Sequence, residues 1–78
     1  MVVEGEVLIH VSPKLGYKAY YELSRILEVT ELHNLFGGFD LIARIEAEDY
    51  QKLGNILVNK IRSIDGVLDA MTLKETTF

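Results

Sequence analysis

The sequence predicts a single α+β domain, in which a four-stranded antiparallel sheet carries two helices on one face. The chain has only 78 residues, which is the length of one small domain, residues 1–78. Segments with the alternating apolar pattern of strands are separated twice by segments with apolar residues at helical spacing. Two adjacent glycines, Gly37 and Gly38, stand between apolar segments and predict a tight hairpin.

The composition restricts what such a domain can do. The chain is 49% hydrophobic, yet a domain of this size buries only about 60–65% of its unfolded surface. We therefore expect an apolar surface that another copy covers. The absence of cysteine excludes disulfides and thiolate metal sites. A net charge of −4 without a basic run argues against direct contact with nucleic acid.

Neither a membrane span nor a signal peptide is predicted. The apolar runs are far too short to cross a bilayer. The start of the chain has no basic segment followed by a long apolar one. The expected location is the cytoplasm, with no membrane partner.

The first half of the chain predicts a strand and then a helix. Residues 7–11 are β-branched and apolar apart from His10, which is typical of a strand buried on both faces. Ser12 and Pro13 suit the N-cap and first turn of a helix over residues 14–26. The apolar residues at helical spacing are Leu15, Ala19, Tyr20, Leu23, Ile26 and Leu27.

The predicted hairpin joins strands over residues 29–36 and 39–47. Alternation in the second of these places four residues toward the helices: Leu41, Ala43, Ile45 and Ala47. Ile42 has the opposite phase, so it should lie on the face without helices. Asp40, just after the turn, either bonds to nearby backbone N–H groups or serves a functional site.

Glu48 or Asp49 should cap a second helix, which Asp65 and Gly66 end. Its apolar stripe is predicted to be Tyr50, Leu53, Leu57, Val58, Ile61 and Ile64. Residues 67–75 form the last strand, and residues 76–78 are its extension or a tail. With right-handed crossovers this order gives a ferredoxin-like βαββαβ fold. Its bare apolar sheet face would be covered by pairing two sheets as a dimeric α+β barrel.

No motif of a known catalytic or cofactor site is present. The chain has no phosphate loop, no Ser-His-Asp order and no dinucleotide fingerprint. His10, His33 and Asp40 could in principle hold a metal, but nothing in their spacing demands it. We therefore predict no catalytic residues, no metal and no cofactor, and a protein that is not an enzyme.

The chain resembles the effector-binding domain, or RAM domain, of Lrp/AsnC transcription regulators. The resemblance covers residue 6 to about residue 75. The segments that carry it are residues 7–11, Val29, the Gly37-Gly38-Phe39-Asp40 step with residues 41–45 behind it, and residues 61–67. Each segment alone is weakly specific, but their order and spacing together are fairly specific.

The resemblance implies an amino-acid effector and homodimers that assemble into rings, octamers or decamers. It implies these ligand-binding residues: Gly37, Gly38, Phe39, Asp40 and Thr72. The first strand begins at once, without a helix-turn-helix segment, so we expect a stand-alone domain with full-length Lrp/AsnC regulators as further partners. Two alternatives remain open: a dimeric α+β barrel enzyme using His10 or His33, and a purely structural oligomerisation domain.

Overall fold

The computed structural model describes residues 2–35 and 40–77. The elements are β1 (Val3–Val11), α1 (Gly16–Ser24), β2 (Val29–Asn34), β3 (Asp40–Ala47), α2 (α-helical over Tyr50–Asn55 and π-helical over Ile56–Ile61) and β4 (Val67–Thr77). The strands form one antiparallel sheet in the order β2-β3-β1-β4. Since a helix connects β1 to β2 and another connects β3 to β4, the predicted ferredoxin-like fold is confirmed.

One apolar core lies between the sheet and the two helices. Its largest fully buried side chains are Val3, Val7, Ile9, Leu23, Ile45, Leu53 and Ile61. Full burial of each such side chain contributes about 1.5–3 kcal/mol. Leu41 and Ala43 are also buried, which confirms the predicted phase of β3. No polar or charged side chain of the described ranges is buried with them.

The middle strand β1 begins at Val3, four residues before its predicted start. Its alternate residues Val7 and Ile9 are fully buried, but Leu8 is only partly buried and His10 is exposed. The prediction that this strand is buried on both faces was therefore wrong for a single chain. The reason is that both helices pack on the same side of the sheet, so β1 is covered on that side alone.

Helix α1 starts later than predicted, because Ser12 forms a turn instead of an N-cap. The Leu15 amide donates to the Ser12 carbonyl at 3.2 Å, with Pro13 at the second position, where its fixed φ suits a turn. The helix then begins at Gly16 and ends at Ser24. Leu27, predicted to belong to the apolar stripe, lies beyond the helix and is 91% exposed.

The second helix begins as predicted but changes its pitch. Asp49 is the N-cap, and its side chain accepts from the Lys52 amide at 2.8 Å. From Ile56 the helix is π-helical, with the Arg62 amide donating to the Leu57 carbonyl five residues back, at 2.9 Å. The wider turn buries Ile56 and leaves Val58 54% exposed. Tyr50 is 49% exposed, so the predicted stripe was wrong at these three positions.

Gly66 has the left-handed conformation that the sequence predicted, with φ of 100°, but it does not end the second helix, which stops at Ile61. It lies instead in a turn, in which the Val67 amide donates to the Ile64 carbonyl at 3.1 Å. A Cβ at this position would lie 2.8 Å from the Leu15 Cβ. The Gly66 carbonyl also accepts from the Ser12 amide at 2.7 Å. The close approach ties the start of β4 to the end of β1.

Candidate functional site

The sheet face opposite the helices carries an apolar patch, which consists of Leu8, Ile42 and Met71. Leu8 of β1 is directly opposite Ile42 of β3 on one side and Met71 of β4 on the other. Leu8 and Ile42 are partly buried, and Met71 is 50% exposed. This register confirms that Ile42 lies on the face without helices. The patch therefore crosses three strands on the face that neither helix covers.

Asp40 lies beside this patch, at the hairpin end of the sheet. It is the first residue of β3, and its carbonyl accepts from the Leu35 amide at 3.0 Å. Its register partner on β1 is His10, and Asp40 Oδ1 lies 2.6 Å from His10 Nδ1. Both side chains remain accessible, at 51% for His10 and 42% for Asp40. On its other side His10 is opposite Asp69 of β4, so two carboxylate residues flank the ring.

Three of the predicted ligand-binding residues lie outside the described residues: Gly37, Gly38 and Phe39. Thr72 is exposed on β4, opposite Val7 of β1. Strands β3 and β4 are separated by β1, a distance of about 10 Å. Thr72 also has the same phase as Val7, whereas Asp40 has the same phase as His10. Since Val7 and His10 alternate along β1, Thr72 and Asp40 belong to opposite faces of the sheet. A single chain therefore does not bring Thr72 to Asp40.

An ionic cluster, defined as Arg44 with Glu4, Glu6 and Glu31, occupies the other side of the apolar patch. Arg44 Nη2 lies 3.5 Å from Glu6, and its Nη1 donates to Glu31. Arg44 Nε lies 3.2 Å from Glu4 but without hydrogen-bond geometry. The four side chains of this cluster come from three strands. The contacts of Arg44 with these acids depend on the register of β1, β2 and β3. The sequence did offer one signal, since Arg44 has the same phase as Ile42 and so lies on the open face.

A groove of about 490 Å³ lies away from the hairpin end, beside the second helix. Ile56 contributes to its lining, and two ion pairs stand at its edge. Lys60 Nζ donates to both oxygens of Glu28, at 2.8 and 2.9 Å, and Lys52 Nζ donates to Glu48 at 2.6 Å. The hydrogen bonds from Lys60 lower the pKa of the Glu28 carboxyl. The bond to Glu48 raises the pKa of Lys52.

The suggested metal set of two histidines and Asp40 is not assembled. His10 contacts Asp40, but His33 contacts Glu31 at 3.4 Å. Within residues 2–35 and 40–77, no three His, Asp or Glu side chains stand close enough to hold a metal ion. The helices found in these same ranges are all too short or too polar to cross a membrane.

The candidate site thus lies on a ferredoxin-like α+β domain, whose open sheet face carries an accessible carboxylate at its hairpin end. The chain belongs to the Lrp/AsnC ligand binding domain family, whose sequence model matches residues 6–73. This family is a class of transcriptional-regulator domains and not an enzyme family.

Relatives and solved structures agree with this assignment. An uncharacterized HTH-type transcriptional regulator of Pyrococcus horikoshii is 30% identical over 70 residues, which are 86% of this chain and 47% of the relative. The chain thus spans about half the length of the curated relatives that it matches. The structure of AsnC from E. coli superposes with a TM-score of 0.82 and 28% identity, covering 91% of this chain and 48% of AsnC.

A second solved structure shares the fold at lower identity. It is a transcriptional regulator of Neisseria meningitidis in complex with L-Met, with a TM-score of 0.83 and 15% identity. The superposition covers 97% of this chain and 50% of that protein.

Proposed function

We propose that this chain is an amino-acid-sensing and assembly domain of Lrp/AsnC type, which modulates transcription through the regulators with which it assembles. The observation that carries the proposal is the accessible Asp40 carboxylate at the hairpin end of the open face. One of its oxygens contacts His10, and no other residue of the described ranges donates to this carboxylate. A carboxylate is a strong acceptor for an α-ammonium group, because the hydrogen bond is charge-assisted.

We propose that four further residues complete this site: Gly37, Gly38, Phe39 and Thr72. Backbone N–H groups of Gly37 and Gly38 would receive the effector carboxylate, as a small anion-binding nest. Phe39 would contact the effector side chain. Thr72 would add a hydroxyl from another copy, since it lies two strands from Asp40 in its own chain. The L-Met complex of the Neisseria regulator supports an amino acid as the effector class.

Assembly through the open face is the second part of the proposal. Pairing of two sheets would cover the apolar patch of Leu8, Ile42 and Met71, giving a dimeric α+β barrel. Dimers would then assemble into rings, and regulators of the same family would be further partners. Sedimentation at micromolar concentration should show a dimer or a multiple of dimers. A monomer under these conditions would contradict this part.

The sensing function is tested by thermal melts in the presence of each proteinogenic amino acid. An effector at a hundredfold excess over its Kd should stabilise the fold by about 2.7 kcal/mol. For a domain of this size that corresponds to a rise in Tm of roughly 10–20 °C. No stabilisation by any amino acid would favour a structural assembly domain, and turnover of an added compound would favour an enzyme.

Asp40→Asn locates the effector site. We expect a ligand-free Tm within a few degrees of the parent, because an exposed ion pair contributes about 0–1 kcal/mol. Loss of the charged acceptor should weaken effector binding about ten- to hundredfold. Isothermal titration measures the Kd, and Asp69→Asn is the matched control, since Asp69 is the other carboxylate residue opposite His10. Equal weakening by both variants would place the ammonium site elsewhere.

A further inference from the structure

The contact between His10 and Asp40 is unusual for an exposed pair. Thirty residues separate the two, and the antiparallel register of β1 and β3 places them directly opposite each other. An ionised carboxylate can only accept, so His10 Nδ1 carries the proton in this 2.6 Å contact. The distance is at the short end for a charge-assisted hydrogen bond. The contact fixes which oxygen of Asp40 is occupied and how its carboxylate plane is turned.

We propose that His10 positions the Asp40 carboxylate for the effector ammonium and makes effector binding depend on pH. This inference rests on the proposed function, because it concerns the same carboxylate. When His10 is neutral, its Nδ1–H holds Asp40 Oδ1, and the carboxylate keeps its full negative charge for the ammonium. When His10 is protonated, the imidazolium neutralises Asp40 and repels the incoming ammonium. Affinity should therefore rise as the pH increases.

Among the groups around Asp40, His10 is the one whose change of charge would make effector binding depend on pH. From the described chain, the ionisable side chains opposite the ring are Asp40 on β3 and Asp69 on β4. The Asp69 side chain accepts from the Ala70 amide at 2.9 Å, so one of its oxygens is already used. Histidine is the side chain whose charge ordinarily changes between pH 5 and 8, which carboxylic acid side chains in general do not do. The ring is half exposed, so protons reach it freely.

The test is isothermal titration at pH 6 and pH 8, with the proteinogenic amino acid that gives the largest thermal shift. The parent protein should bind about tenfold more tightly at pH 8. His10→Asn keeps an N–H donor near the position of Nδ1 but cannot gain a charge. It should bind at pH 8 within about threefold of the parent and lose the pH dependence. His10→Leu removes the donor and should bind about tenfold more weakly at both values.

His33→Asn is the matched control, because His33 is also an exposed strand histidine with an acidic neighbour, Glu31. This variant should keep the pH dependence of the parent. Ligand-free melts at pH 8 should place all three variants within a few degrees of the parent, which separates positioning from folding.

Two results would overturn the inference while leaving the proposed function standing. One is a pH dependence that persists in His10→Asn, and the other is unweakened binding by His10→Leu. Failure of the parent protein to bind any amino acid at either pH would overturn both proposals together.

Discussion

The two faces of the sheet are built from neighbouring residues of the same strands, yet they differ in kind. On the helix-covered face, Val7 and Ile9 of β1 are fully buried in the core. On the open face, Leu8 is partly buried and His10 is half exposed beside Asp40. Because side chains alternate along a strand, each face can be specified independently. The covered face stabilises the chain, and the open face is the one that the proposed assembly and effector binding would use.

The open face also differs from the covered face because it combines an apolar centre with charged groups at its margins. Its centre is the apolar patch, its hairpin end carries the pair of His10 and Asp40, and its other side carries the ionic cluster around Arg44. A purely apolar open face would bury more surface on pairing but would offer no charged group to an effector. Polar groups at the margins of an apolar patch are typical of protein interfaces.

The largest effect should come from truncation on the covered face. Ile9→Ala removes a fully buried side chain and should lower the free energy of unfolding by about 2–5 kcal/mol. Leu8→Ala, one residue away, should cost less and should act mainly on dimerisation. Urea denaturation and sedimentation of both variants measure the contrast. An equal loss of stability without any change in assembly would remove the distinction between the faces.

A charge in the apolar patch should separate assembly from folding. Ile42→Asp would place a carboxylate between two paired sheets, and burial of an unpaired charge costs several kcal/mol. We expect dissociation into monomers that keep the far-ultraviolet circular dichroism of the parent, with Ile42→Val as the conservative control. Parent-like assembly of the Asp variant would show that the open face is not the dimer interface.

Two substitutions in the second helix test which of its residues face the core. Ile56→Ala should destabilise the fold by about 2 kcal/mol, because Ile56 is buried in the core. Val58→Ala, two residues further along the π-helical segment, should change stability by less than about 0.5 kcal/mol. If chemical denaturation showed a larger loss of stability for Val58→Ala than for Ile56→Ala, the segment would have the regular α-helical phase instead.

The smallest effect should come from an ion pair outside both faces. Lys60 lowers the pKa of Glu28, so this pair stabilises the fold above the ordinary Glu value of 4.5. That stabilisation is lost as the pH falls through the lower value of the folded state. It amounts to at most about 1 kcal/mol. Melts from neutral to acid pH should show Lys60→Met less stable only at the higher values; a constant difference would assign the effect to packing.

Local signals in the sequence predicted much of the fold correctly. The alternation along β3 correctly predicted which of its residues are buried, and it placed Ile42 on the opposite face. Asp49 caps the second helix and Gly66 takes a positive φ, as their residue types predict, although the helix itself ends before Gly66, at Ile61. Each of these features depends on residues that are close in sequence, where backbone preferences and periodicity act directly.

Part of the candidate site could also be predicted. Asp40 stood out because it follows a glycine turn, but its contact with His10 could not be foreseen. That contact depends on the register between β1 and β3, and many registers are compatible with the same alternation. The ionic cluster was missed for the same reason, since Arg44 lies far in sequence from Glu4 and Glu6.

The sequence by itself determined the order of the elements, the phase of β3 and the N-cap of the second helix. Only the tertiary structure decided that β1 is covered on one face, that the helix widens after Asn55, and that His10 meets Asp40. The physical reason is the range of the interactions involved. Capping, turn geometry and periodicity act over a few residues, whereas register, helix coverage and pitch are selected by the packing of segments distant in the chain.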